Sequence, residues 1–146
     1  MNPVSLFSLA SFLAVFGGVF CYKRLMKRLE NRIGQRDLTA EVLQKEQTNY
    51  FIQFSLVEVI PILLIILGFT QLESYVLSTT TQIVALVLLL ALIGFAVLQV
   101  IGSVKQLNQQ MKQANMDTTL IQSLGYVGIF MINSIPVISI IGLSLF

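Results

Sequence analysis

A chain of 146 residues with 55% hydrophobic and only 11% charged side chains cannot bury its apolar surface within one water-soluble domain. Its mean hydropathy of +0.83 assigns it to a bilayer. The chain has no histidine and one cysteine, Cys21, so disulfide, zinc and haem chemistry find no residues to build on. Without a histidine it also lacks the commonest general base near neutral pH, and neither stand-alone catalysis nor a cofactor is expected. The net charge of +2 carries no nucleic-acid meaning.

Four apolar stretches, 4–22, 50–69, 82–104 and 122–146, approach the ~20 residues that a hydrocarbon core requires. They predict an all-α integral membrane protein of four transmembrane helices, arranged as two tandem antiparallel hairpins. The first stretch is expected to be a retained helix, because its basic cluster follows it instead of preceding it as in a signal peptide. Ala10, Ala14 and Gly18 form a small-residue stripe at which another helix can approach closely.

Tyr22, Leu25, Leu29 and Ile33 recur at helical spacing beyond the first span, so helix 1 is expected to continue to a left-handed stop at Gly34. Asp37 is the expected N-cap of helix 2. The connection 70–81 carries only Glu73; helix 3 follows with Gly94, Gln99 and Gly102. Asn115 and Asp117 supply turn and capping residues before helix 4, where Tyr126 and Asn133 share a face.

The basic residues set an orientation. Seven lie in the first connection, Lys105 and Lys112 lie in the third, and none lies elsewhere. The positive-inside rule therefore predicts a multi-pass protein of the cell membrane, with 23–49 and 105–121 cytoplasmic and both termini outside.

Glu58 is the one charged side chain inside a span, where a carboxylate costs ~2.5–3.5 kcal/mol on insertion scales and by default marks an ion or proton site. Pro61 has no N–H to offer the carbonyl of Val57, which leaves an acceptor one residue before the acid and invites a kink. A protonated Glu58 can donate to such a freed carbonyl.

Leu56–Ile66 superposes on Met131–Ile141 at a shift of 75 residues, with Ile60, Pro61, Ile65 and Ile66 over Ile135, Pro136, Ile140 and Ile141. The two-helix unit is thus expected twice: 1–69 with the carboxylate, then the connection 70–81, then 82–146 with Asn133 in place of the acid. Asn133, Tyr126, Gln53 and Gln99 are the candidate polar partners of Glu58.

The run Phe51-Ile52, Leu56-Val57-Glu58, Ile60-Pro61-Ile62 resembles the carboxylate helix of the rotary ATP synthase c subunit, the proteolipid of ion-driven rings. Duplication to four helices with one carboxylate lost looks like the larger proteolipids of V-type ATPases. The resemblance implies that Glu58 binds and releases an ion, that the chain forms a homo-oligomer or ring, and that a stator subunit presents an intramembrane arginine. Val59 after the acid offers no hydroxyl for sodium, which favours protons. Helix 1 holds only Gly17 and Gly18 where the family has a glycine-rich repeat. The alternative expectation is a non-transporting membrane scaffold or assembly protein that keeps the hairpin without the ring.

Overall fold

The computed structural model describes residues 2–35, 39–113 and 119–145, apart from the side chains of Ala40 and Leu120. The described residues form four α-helices, α1 (Pro3–Gly34), α2 (Ala40–Leu72), α3 (Thr79–Gln113) and α4 (Thr119–Leu145), with no strand among them. Each contains an apolar stretch long enough to cross a membrane, as composition requires. Apolar side chains such as Leu56, Leu63, Val84, Leu90 and Phe130 stand exposed around the bundle, the outside-apolar surface expected of a lipid-facing protein.

The helix ends follow local chemistry. Asn2 accepts from the Val4 N–H at 3.0 Å and Pro3 opens α1 at a position whose N–H is dispensable. α1 does extend to Gly34, but Gly34 does not adopt the left-handed conformation expected of it; the capping residue is Gln35, in a right-handed conformation, with its N–H on the carbonyls of Asn31 and Ile33. The N-cap of α2 is Thr39, whose hydroxyl accepts from the Val42 N–H at 3.3 Å. Asp37, Asn115 and Asp117 lie outside the described residues. The link between α2 and α3 shortens to Glu73–Ser78, because both helices run past the limits set by hydropathy. Ser78 receives the Thr81 N–H at 3.3 Å and so starts α3.

α1 is the axis of the molecule: it packs against α2, α3 and α4, whereas the backbones of α2 and α3 do not approach one another closely among the described residues. Contacts run antiparallel from α1 to α2 (Gly17 on Val57, Phe7 on Gly68) and from α1 to α4 (Gly18 on Ile132, Phe7 on Gly142). α3 lies parallel to α1, with Phe16 stacked on Phe95 at 5.6 Å. The chain is therefore two consecutive hairpins laid side by side, α1–α2 and α3–α4.

Close approach is achieved where small residues meet large ones. Ala10 and Ala14 are fully buried, and a Cβ added to Gly18 would come within 3.0 Å of both Phe54 and Ile132. Gly128 of α4 sits against the Tyr22 ring in the same way. In contrast, Gly94 and Gly102 of α3 face open space. At the charged tip, buried Glu46 of α2 pairs with Arg28 (3.0 Å) and Arg32 (3.8 Å) of α1, tying the extended arms of the first hairpin together.

Candidate functional site

α2 buries Leu43, Glu46, Tyr50, Phe54, Glu58, Pro61, Ile65 and Leu72, a stripe at helical spacing that faces α1. Glu58 belongs to this stripe. It is 5% exposed, and its Oε1 finds no hydrogen-bond partner among the described residues. Its neighbours on the outer face of α2, Leu56, Val59 and Ile60, are exposed and aliphatic, so the acid turns inward from lipid.

Glu58 makes no hydrogen bond to the Val57 carbonyl that Pro61 leaves free, and α2 is helical without interruption across Pro61. The side chain of Val57 packs onto Gly17, so this residue closes the α1–α2 contact as well as carrying the freed carbonyl. Ala14, Gly17 and Gly18 supply the small surface of α1 near the level of the acid. An ionisable group is thus enclosed by helix-packing surface with one oxygen unengaged, and an unsatisfied buried acceptor carries a penalty of about 1–3 kcal/mol.

Phe7 meets both Gly68 and Gly142, 74 residues apart, and Gly18 meets both Phe54 and Ile132, 78 apart. The 75-residue repeat therefore links positions at equal height on α2 and α4, and Pro61 and Pro136 come level, as do Glu58 and Asn133. Height is not proximity. Ile132 faces α1, and Asn133, about 100° further round the helix, is in phase with Gln122, Tyr126 and Ile129, which lie beside Val100 and Val104 of α3. Asn133 is 7% exposed, its Oδ1 is unpartnered among the described residues, and no hydrogen bond joins it to Glu58.

Tyr126 is 70% exposed beside Val104 and Lys105, on the outer side of the α3–α4 contact and apart from the acid. Gln53 and Gln99 are half-buried. Two polar groups that spacing did not single out as site residues lie on the α2 stripe and opposite it. Tyr22 and Tyr50 meet edge-to-face at 6.0 Å, two turns of α2 from Glu58, and both buried hydroxyls lack a partner among the described residues. Tyr22 was legible only as an apolar-periodic position of helix 1. No cluster of candidate metal ligands occurs among the described residues.

No protein-family model, no curated protein and no solved structure matches this chain.

Proposed function

We propose that this chain is a non-enzymatic, multi-pass membrane subunit whose Glu58 binds and releases a proton, in the manner of the ring proteolipids that its second helix resembles. The observation that carries the reading is a carboxyl enclosed at 5% exposure within an apolar span and left with an unpartnered oxygen. Acids in such positions are expensive and serve ion or proton pathways by default. On this reading the chain works as a homo-oligomer beside a subunit that offers a positive charge, in the cell membrane, with both charged tips in the cytoplasm and both termini outside.

The test is proton flux in proteoliposomes containing the full chain, read by an internal pH dye, together with carbodiimide labelling. Glu58→Gln keeps size and polarity, removes the titratable proton, and is expected to abolish both flux and labelling. Unchanged flux in Glu58→Gln refutes the proposal.

A second reading, a non-transporting scaffold built on the same hairpins, is favoured by one feature. Glu58 faces α1 and not the lipid surface across which another subunit would be met. Under this reading Glu58→Gln changes nothing, whereas Ala14→Leu, at a position wholly buried within the chain, disrupts the bundle on which any assembly rests.

A further inference from the structure

The basic residues of α1 divide between its two neighbours. Arg28 and Arg32 turn to α2 and share the buried carboxylate of Glu46. Lys23 and Lys27 turn to α3, where they line a cavity of about 280 Å³ with Glu30, Ser103, Gln106 and Gln110. Neither lysine has a carboxylate partner among the described residues, and Glu30 is engaged by the Gln110 amide, which donates to its Oε1 at 2.9 Å. Orientation in the membrane needs only positive charge on this side. It does not need two lysines gathered with a hydroxyl and amides around one opening.

The same face of α1 continues from the cavity into the membrane span as Phe20, Phe16 and Phe12, all exposed, at intervals of four residues. Phe16 stacks on Phe95 of α3 at 5.6 Å and forms the far end of the groove. Gly102, two turns from Phe95 on α3, opens onto free space, so the α3 wall is cut back between the aromatic floor and the lysines. Cationic donors at the end of the span above a cleared apolar groove match a molecule that is anionic at one end and aliphatic at the other.

We propose that the α1–α3 cleft binds an anionic phospholipid, with its phosphate held by Lys23, Lys27 and Ser103 and an acyl chain laid along Phe20, Gly102 and Phe16. The proposal is independent of proton binding at Glu58, which lies on the opposite flank of α1. The apolar groove commits the site to a lipid over free phosphate, since inorganic phosphate satisfies only its upper end.

The test is native mass spectrometry of the full chain released from micelles containing dioleoylphosphatidylglycerol or dioleoylphosphatidylcholine. The unaltered chain is expected to retain the anionic lipid preferentially. Lys23→Gln with Lys27→Gln weakens that retention roughly 30-fold, from the contribution of a lysine near an anionic surface. Lys45→Gln with Lys112→Gln, equal in charge and also at the tips, leaves it unchanged. Gly102→Phe, at a position with room for a side chain, lowers retention of the same lipid by blocking the groove. Equal retention of both lipids, equal loss in the two double variants, or displacement by inorganic phosphate at matched concentration overturns the proposal.

Discussion

Ser11 of α1 donates a hydrogen bond to Ser139 of α4 at 2.9 Å, with both residues wholly buried and 128 positions apart in sequence. The Ser139 hydroxyl in turn reaches the Phe7 carbonyl at 3.5 Å. This is the polar fastening between the first and last helices. Interhelical hydrogen bonds of this kind contribute ~0.6–2 kcal/mol in membranes. Ser139→Ala should lower stability by about 1 kcal/mol and the double change Ser11→Ala with Ser139→Ala by little more, because the second removes an orphan that the first creates. A double-mutant cycle by reversible unfolding in mixed micelles checks this, and additive losses would show that the pair is not coupled.

Gly128 and Gly94 should respond in opposite directions to the same substitution. A Cβ on Gly128 would lie 2.5 Å from a carbon of the Tyr22 ring, whereas Gly94 has nothing within 4 Å. Gly128→Ala is expected to cost about 1–3 kcal/mol through overpacking. Gly94→Ala should be neutral or gain up to about 1 kcal/mol from helix propensity. Equal effects in the same unfolding assay would contradict the packing of α4 on α1.

Glu58 can be tested as a structural residue directly. The enclosed Oε1 has no partner among the described residues and the neighbouring surface is apolar, so Glu58→Leu should raise bundle stability by about 1–3 kcal/mol. A packing or bridging role predicts the reverse. Stabilisation by leucine, together with the loss of flux in Glu58→Gln, would show that the acid is kept for its proton at the expense of the fold.

Removing the shared acid should loosen the charged tip. Glu46→Gln leaves Arg28 and Arg32 without their common carboxylate, at a cost of about 1–3 kcal/mol, below that of a fully buried pair because both arginines retain solvent contact. Hydrogen exchange should quicken in 28–34 and 41–48 and stay slow around Ser11 and Ser139. Uniform acceleration along all four helices would mean that the tip is not a separable unit.

The spans and the hairpin order were legible because hydropathy and length alone decide where a chain crosses a bilayer. The height of Glu58 was legible too, through the paired prolines. What the repeat did not reveal was azimuth: Asn133 sits level with Glu58 yet turns to α3, since one residue of helical phase moves a side chain about 100°. Glycine counts do not show which glycines pack: Gly94 and Gly102 face open space, while Gly17 and Gly18 on α1 and Gly125, Gly128 and Gly142 on α4 take close contacts. The Ser11–Ser139 and Arg28–Glu46 pairs could not be read from spacing, as each joins helices whose relative rotation only the assembled core sets.

Among the described residues α2 leans almost entirely on α1, meets α4 only lightly and makes no close backbone approach to α3. A helix held chiefly along one seam takes its rotation from that seam, and the other three helices can keep their packing when it alone is altered. The inward aim of the acid is therefore set by that single seam, where Val57 seats on Gly17 and Phe54 on Gly18, so a change on α1 alone can re-aim a carboxyl that α1 does not carry.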